Sequence, residues 1–351
     1  MSHTVYCGVD LHARLQTVAY CFTDDGEVHF KQLDHRKDDL RSFYSQFSGR
    51  VIVGIETTGY SLWFEQLLEE LGHEVWIGHA ADIRHAARRR QKNDRRDAEL
   101  ILDLMVKGDF PKIHRRSLKS QEVLRLLRYR HRLVRMRTSA INSLHYLAIS
   151  YGLPIKSRLM TKAGREQLNG LAMTDVLSKQ RREWQEMINQ LNERISSCEK
   201  ELEQMTSDDR RVQRLRTHPG IGLLTAAGLV HTLEPITRFA NQRKVVAYVG
   251  MEPREHSSAE KKRWLSISKQ GSKHLRYLLG EAAQTAARAD EELKRFYKRV
   301  LAKRGLGRAK VAVGRKLLIR GYIMLRDSID YEEFLRRGTV EARLARNARR
   351  R

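Results

Sequence analysis

The segment VIVGIE at positions 51–56 limits the fold of this chain more than any other stretch. A continuous apolar run of this length is typical of a strand covered on both faces, as in the centre of a sheet that carries helices. Glu56 ends the run, and a carboxylate at the end of a buried strand is costly unless it is paired or binds a metal. We therefore expect a layered α/β domain built around this strand.

Strand and helix signals alternate on both sides of this segment. Three short β-rich segments precede it, and the short links between them, including the turn TDDG, predict antiparallel pairing. Gly72 stands where a helix is expected to end. The predicted elements are strands at 5–10, 17–22 and 27–33, a helix near 37–47, the strand 51–56, a helix over 61–71, a strand at 74–78 and a helix over 94–106. The order βββ-α-β-α-β-α is that of an RNase H-like domain, a fold analogy that does not by itself give a function.

Two long helices are predicted after this domain. The first covers residues 118–150 and is expected to end before Gly152 and Pro154. The overlapping segment 115–137 contains nine Lys and Arg residues and one acidic residue. Residues 179–205 form the second, with apolar residues spaced alternately by four and three, the pattern of a coiled-coil seam. Its partner is predicted to be either another helix of the same chain or a second copy. The seam residues are Trp184, Ile188, Leu191, Ile195, Cys198, Leu202 and Met205.

The net charge narrows the choice of partners. The 351 residues include 67 Lys and Arg against 42 Asp and Glu, a net charge of +25, and such a protein is expected to bind a polyanion, by default nucleic acid. No apolar run reaches the ~20 residues of a membrane span, and the N-terminus lacks the architecture of a signal peptide. Three cysteines without a C-x-x-C pair argue for a reducing compartment and against structural zinc. We expect a cytoplasmic protein without a membrane partner.

Glycine-rich and basic segments supply candidate contacts to nucleic acid. HPGIGLLTAAGLV (218–230) places Gly220 and Gly222 between two predicted helices, like a helix-hairpin-helix turn whose backbone N–H groups can face a phosphate. The tail at 343–351 has five arginines in nine residues and is predicted to be a flexible basic arm. The basic candidates are Arg88, Arg89, Arg90, Arg128, Arg132, Arg135 and Lys269.

Four carboxylates are predicted to converge in the N-terminal domain. Asp10 and Glu56 end the first and fourth strands, which are central neighbours in an RNase H-like sheet. Asp94 and Asp97 share one face at the start of the closing helix, where each alone could simply complement the helix dipole. Four acids at one point repel one another, and Mg²⁺, which prefers oxygen ligands, would relieve that repulsion. Two such ions can stabilise the attacking and leaving oxygens of a phosphoryl transfer.

The motifs GVDLH, IVGIETTGY and KNDRRDAEL, followed by HPGIG and YVGMEP…SISKQGSKHLR, together resemble the DEDD transposases of the insertion sequence 110 family, the bridge RNA-guided recombinases. The resemblance covers nearly the whole chain in the same order. By position, it matches the family's four acids to Asp10, Glu56, Asp94 and Asp97, as catalytic residues and Mg²⁺ ligands. It implies a RuvC-like catalytic domain at 1–114, a basic helix and coiled-coil segment at 115–210, a mainly α-helical C-terminal transposase domain at 211–342 and a basic tail at 343–351.

The resemblance also implies a catalytic serine, a few residues after a Gly-x-x-Pro segment in the C-terminal domain. In GMEPREHSSAEKKR, Ser258 matches best, with Ser257 adjacent and Ala259 where a glycine often follows. A hydroxyl nucleophile needs activation. His256 is the nearby candidate base, although metal ions held by the four acids are the expected activators of the reacting phosphate.

Three functions remain open on this basis. A recombinase would attack a DNA phosphodiester with the serine, form a phosphoserine link and religate another strand, a course that needs no ATP and fits the lack of a Walker motif. A RuvC-like endonuclease would use metal-activated water instead, and a binding protein would leave the four acids unexplained. The implied partners are donor and target DNA, a structured bridge RNA encoded by the same element, and further copies of the chain in a dimer or tetramer with composite active sites.

Overall fold

The computed structural model describes residues 4–24, 26–35, 39–86, 93–153, 159–258 and 261–338, with the backbone alone for 256–258 and 261–264. The chain divides into two compact units, Met1–Arg115 and Arg116–Arg351. The first unit contains β1 (Thr4–Leu11), β2 (Leu15–Phe22), β3 (His29–Asp34), α1 (Asp39–Ser45), β4 (Arg50–Glu56), α2 (Leu62–Glu70), β5 (Glu74–Gly78), α3 (Ala80–Ala86) and α4 (Asp94–Val106).

The strands of the first unit form a mixed five-stranded sheet in the order β3-β2-β1-β4-β5. β1 pairs antiparallel with β2 and parallel with β4, as predicted for the two central strands. Val51–Ile55 are buried without interruption because α2 covers one face of β4 through Phe64 and α4 covers the other through Ile101. The mixed sheet with helices on both faces confirms the predicted α/β class and is consistent with an RNase H-like domain.

Two glycines allow α4 to pack directly on the central strands. A Cβ atom at Gly8 of β1 would lie 2.4 Å from the carbonyl oxygen of Ala98, and one at Gly54 of β4 would lie 2.2 Å from Sδ of Met105. Any side chain at these positions would push α4 away from the sheet. Since α4 begins with Asp94 and β1 ends beside Asp10, this close approach helps to position the candidate site.

The predicted order of elements omitted α3. This seven-residue helix buries only Ile83, so it shows no apolar period in the sequence. The second long helix also begins earlier than predicted, at Asp175, because the Thr174 side chain caps it by accepting a hydrogen bond from the N–H of Leu177. Local caps and short helices are thus the features that the apolar pattern did not show.

The second unit is mainly α-helical. Its elements are α5 (Leu118–Ser150), α6 (Lys162–Asn169), α7 (Asp175–Thr206), α8 (Arg210–Arg216), α9 (Leu223–Leu233), a 3₁₀ turn (Ile236–Arg238), α10 (Gln242–Val249), β6 (Pro253–Ser258), β7 (Lys261–Ile267), α11 (Lys273–Ala289), α12 (Glu291–Arg304) and α13 (Leu306–Arg326). β6 and β7 form an antiparallel hairpin. In the part of the chain that the structure describes, no helix combines the length and apolar character needed to cross a membrane.

The coiled-coil seam of α7 packs against α5 of the same chain. The contacts run antiparallel: Ile188 joins Ala140 and Leu144, the middle of the seam joins Leu133, and Leu202 joins Val123 and Leu127. Of the two predicted partners, the structure therefore shows the intrachain helix, and the seam is not available to a second copy. The buried seam residues are Ile188, Leu191, Ile195, Cys198 and Leu202.

Part of the positive charge of α5 is balanced within this helical pair. Arg130 Nη2 lies 2.6 Å from Glu199 Oε1 of α7, and Arg137 donates to the Asn192 side chain at 2.9 Å. The charge run predicted to face a polyanion is thus divided between residues that contact α7 and residues that do not.

A buried ion pair joins the C-terminal helices. Arg320 of α13 donates to Asp290 at 2.7 Å and lies 3.3 Å from Nε2 of His218; the side chains of Arg320 and Asp290 are 6% and 4% exposed. Burial alone would raise the pKa of Asp290, but hydrogen bonds from Tyr331, from the N–H of Leu293 and from Arg320 outweigh burial and lower it to about 2. A carboxyl with a lowered pKa stabilises the fold above its ordinary pKa, near 3.8, and loses that effect as the pH falls towards 2.

We expect Arg320→Met to destabilise the protein by about 3 kcal/mol at pH 7, because it leaves the Asp290 carboxylate buried without its counter-charge. Urea unfolding would measure this loss, and Arg320→Met/Asp290→Asn should recover part of it. The wild type should lose stability between pH 4 and 2 more steeply than Arg320→Met does. The exposed Arg288→Met is the matched control, and an Arg320→Met midpoint equal to that of the control would contradict this account.

Candidate metal centre

Asp10 and Glu56 lie at the carboxyl ends of the two central strands. Val9 of β1 is opposite Ile55 of β4 in the parallel ladder, so Asp10 and Glu56 occupy neighbouring positions one step beyond that pair. In open α/β sheets, ligands bind outside the carboxyl ends of the strands. The sheet therefore places both predicted acids at the edge where a site is expected.

The first turn of α4 brings two more acids to this edge. Asn93 is the N-cap, and its side chain accepts a hydrogen bond from the N–H of Arg95 at 3.1 Å. The Arg95 guanidinium lies 4.0 Å from the ring centroid of Phe30 in β3. The cap and this cation–π contact fix the turn that carries Asp94 and Asp97.

Three side chains converge at this point. Nε2 of His12 lies 3.1 Å from Oδ2 of Asp10 and 3.5 Å from Oδ1 of Asp94, and one potential ligand atom from each of the three lies within 4.8 Å of the others. Burial raises the pKa of Asp10; His12 opposes this shift, while the carboxylates of Asp97 and Asp94 add to it. Negative charge is thus crowded around Asp10.

The structure brings together some of the predicted acids more closely than others. Asp10 and Asp94 belong to the three-residue group, and Asp97 is near enough to raise the pKa of Asp10. Glu56 is not part of that group. His12 was not predicted, although the spacing Asp-Leu-His places residues two apart on one side of an extended segment, and histidine is a common metal ligand.

This donor set fits a divalent cation. Oδ2 of Asp10 is buried and accepts no hydrogen bond from the residues described; His12 approaches it within ion-pair distance but not in hydrogen-bond geometry. A buried carboxylate oxygen without a donor is costly, and a cation ligated by it would remove that cost. Two carboxylates suit hard cations such as Mg²⁺ or Mn²⁺, and the imidazole adds a nitrogen ligand.

The residues of the second unit that were predicted to contact nucleic acid lie in different structural environments. Gly220 has φ +94°, and a Cβ atom there would lie 2.5 Å from the N atom of Ala286, so packing alone requires this glycine. Gly222 is the N-cap of α9, and Lys269 has φ +59°. Arg128, Arg132 and Arg135 lie on α5, and Ser258 is the last residue of β6. Arg88–Arg90 and the tail at 343–351 lie outside the described residues.

Comparison with known proteins identifies the family. A family model for DEDD transposases of the IS110 type, described as Transposase, matches residues 7–150, and the model of the Transposase IS116/IS110/IS902 family matches 212–298. The chain belongs to the IS110 family of transposases. Transposases are enzymes that cleave and rejoin DNA, and membership of a DEDD family implies the use of a divalent metal.

Individual transposases match long segments of the chain. The transposase for insertion sequence element IS1111A of Coxiella burnetii is 30% identical over 236 residues, 64% of this chain and 64% of that protein. The protein named "Probable family 20 transposase" of Pseudomonas aeruginosa is 27% identical over 72% of this chain and 76% of its own length. The transposase for insertion sequence element IS1328 of Yersinia enterocolitica is 29% identical over 66% and 70%.

The two family matches fall on the two candidate sites of this IS110-family chain. The first covers Asp10, Glu56, Asp94 and Asp97, three aspartates and a glutamate as in the family's DEDD designation. The second covers the turn at Gly220 and the hairpin with Ser258. The acidic centre and the hairpin thus belong to separate units of the chain.

Proposed function

We propose that this protein is the transposase of an insertion sequence, a site-specific recombinase that cuts and rejoins donor and target DNA. The observation that carries the proposal is the convergence of Asp10, His12 and Asp94 within 4.8 Å at the carboxyl end of β1, inside the segment that matches the DEDD family. This arrangement supports phosphoryl transfer assisted by a divalent cation.

The acids are assigned to one Mg²⁺-dependent centre. Asp10 and Asp94 would hold the cation directly, and Asp97 is assigned to the same centre because it shares the first turn of α4 with Asp94. Glu56 is assigned as the fourth acid from its position on β4 next to Asp10. When bound, the cation stabilises negative charge on the reacting phosphate. His12, between the two aspartates, would add a nitrogen ligand to the cation.

Ser258 is assigned as the nucleophile. Its hydroxyl oxygen would form a bond to a DNA phosphorus while one ester oxygen of the DNA leaves as a free hydroxyl, and the serine proton passes to a base or to water. The phosphoserine link keeps the energy of the broken ester. A hydroxyl of another strand then displaces the serine and forms a new phosphodiester. His256 is retained as a candidate base.

The partners of this reaction are donor DNA, target DNA and a structured bridge RNA. The basic residues of α5 suit contacts to phosphates more than readout of bases. When base pairing with a guide RNA selects the sequence, the protein needs only such contacts to the nucleic-acid backbone. Joining two duplexes calls for more than one active site, so we propose a homodimer or homotetramer with the domain division given above. Light scattering of the nucleic-acid complex would test this, and a complex with a single chain would exclude it.

One experiment tests the proposed activity and its alternatives. The protein, with its co-purified RNA, is incubated with labelled DNA bearing the element ends and Mg²⁺, then denatured and separated on a gel. We expect a covalent protein–DNA product that EDTA prevents. Free nicks without this product would indicate a RuvC-like endonuclease that uses water, and bound but intact DNA would indicate a binding protein.

A further inference from the structure

A cavity of about 430 Å³ lies in the second unit where α5, α9, α10 and α11 meet. Its mouth carries three cationic side chains, Arg116, Arg128 and Lys273, and none of the described residues lining it is Asp or Glu. Buried leucines form its base: Leu124, Leu127, Leu275 and Leu278. The cavity is therefore basic at its entrance and apolar at its base.

The turn that enters α11 is held rigidly at the edge of this cavity. Gly271 has φ +77°, and a Cβ atom there would lie 2.1 Å from the carbonyl oxygen of Tyr248. Arg276 donates from Nη1 to the carbonyl oxygens of Val249 and Gln270, both at 2.8 Å. The backbone at the start of α11 is thus fixed before any ligand binds, which lowers the entropy cost of binding.

The first turn of α11 contains backbone N–H groups that have no acceptor within the helix. The Ser272 side chain caps the helix by accepting from the N–H of Leu275 at 3.1 Å. The N–H groups of Lys273 and His274 precede the first intrahelical bonds, so the helix itself offers them no acceptor. Both residues line the cavity.

The positive charges at the entrance have no acidic partners among the residues described. Arg116 donates from Nη2 to Oη of Tyr248 at 3.1 Å, while its Nε atom is buried and has no hydrogen-bond partner. Burial lowers the pKa of Arg128, and the charges of Arg116 and Arg125 lower it further. Arg130 contrasts with these residues because it is paired with Glu199. An anion in the cavity would relieve the repulsion between the unpaired cations.

Two histidines lie close to these cationic side chains. The rings of His131 and His274 have centroids 4.8 Å apart. Burial lowers the pKa of His274 to about 4, with further lowering by His131, Arg128 and Arg130. Burial and nearby cations also lower the pKa of His131. Both shifts favour the neutral imidazole, chiefly because the rings are buried, and the nearby cations add to that effect.

We propose that this cavity binds a phosphodiester group of a nucleic-acid strand. The phosphate oxygens accept hydrogen bonds from the backbone N–H groups of Lys273 and His274, from the Lys273 ammonium and from the guanidinium of Arg128, a combination of helix N-terminus, point charge and planar fork that matches phosphate. The leucines at the bottom of the cavity contact the adjoining sugar or nucleobase. The inference rests on the proposed function, since the strand is taken to be DNA or RNA that the transposase handles.

Salt dependence of binding tests this site directly. Arg128→Gln and Lys273→Gln are compared with wild type by fluorescence anisotropy on duplex DNA, single-stranded DNA and structured RNA. Each lost phosphate contact should reduce the slope of log affinity against log salt by about 0.9 on duplex DNA or 0.7 on a single strand. Arg288→Gln, at the exposed far end of α11, removes the same charge without touching the cavity and should leave the slope unchanged.

The three nucleic acids also identify the source of the phosphate, because the slope should fall for the strand that occupies the cavity. Slopes equal to that of Arg288→Gln on every nucleic acid, in variants that melt at the wild-type temperature, would overturn the proposal. The proposal would also be overturned if the salt slope of the Arg288→Gln control fell by the same amount as those of the cavity variants. The covalent-product assay is independent of this result: wild-type protein that makes no covalent product, yet depends on Arg128 for its salt slope, would refute the proposed activity and leave the phosphate site standing.

Discussion

Asp10→Asn should slow DNA strand cleavage by about three orders of magnitude while leaving DNA binding intact. Asp10 supplies a buried oxygen that accepts no hydrogen bond from the described part of the chain, in the group formed with His12 and Asp94. An amide in its place is a weaker ligand and carries no charge. Loss of several kcal/mol of charge stabilisation at the phosphate corresponds to a factor of about 10³ in rate.

The matched control for this variant is Glu99→Gln. Glu99 is an exposed acid on the same helix as Asp94 and Asp97, so it removes one negative charge without changing the centre. Calorimetry with Mn²⁺ or Mg²⁺ should show weaker cation binding by Asp10→Asn than by this control. Cleavage by Asp10→Asn at the rate of Glu99→Gln would remove Asp10 from the metal centre.

The same variant separates a catalytic from a structural effect. A carboxyl whose pKa is raised by folding, as that of Asp10 is, lowers stability at pH values above that pKa. In EDTA at pH 7, the melting temperature of Asp10→Asn should therefore be no lower than that of the wild type. A lower melting temperature would mean that any loss of cleavage reflects unfolding, and the rate comparison would then rest on Asp94→Asn, whose side chain is more exposed.

The central sheet was predictable because its strands carry strong local signals. The buried run of β4 admits only a strand covered on both faces, and its register with β1 places Asp10 beside Glu56. The packing of α4 depends on Gly8 and Gly54. These glycines are far apart in sequence, and the steric need for them is evident only once α4 is packed on the sheet. Sequence periodicity can therefore predict the layers but not how closely they approach.

The composition of the candidate site was harder to predict. His12 follows Asp10 by two residues, yet a single histidine after a strand has many uses, and its position between Asp10 and Asp94 follows from the folded turn. The basic cavity joins residues from α5, α10 and α11, and no local pattern connects them. Likewise, the heptads of α7 predict a partner helix without saying which one, and the structure supplies α5.

The adjacent serines of the β6–β7 hairpin provide the second test of large effect. Ser258→Ala should abolish the covalent protein–DNA product, while Ser257→Ala should retain most of it. The choice between them rests on sequence position, because Ser258 matches best the serine expected after the Gly-x-x-Pro segment and Ser257 precedes it by one residue. In the hairpin ladder Ser257 pairs with Lys262 and Ser258 with Lys261; these pairings run through the backbone, which either alanine preserves.

The pattern of products shows whether the serine itself is the nucleophile. Without its hydroxyl, the metal centre can still direct water to the phosphate, so Ser258→Ala should lose the covalent product even if some nicks remain. Mass spectrometry of the wild-type product after nuclease digestion should find the residual nucleotide on Ser258. A nucleotide on Ser257, with the product lost in Ser257→Ala and kept in Ser258→Ala, would transfer the assignment to the neighbouring serine. If both single variants keep the product, neither serine alone is the nucleophile, and the covalent bond must be sought on another side chain.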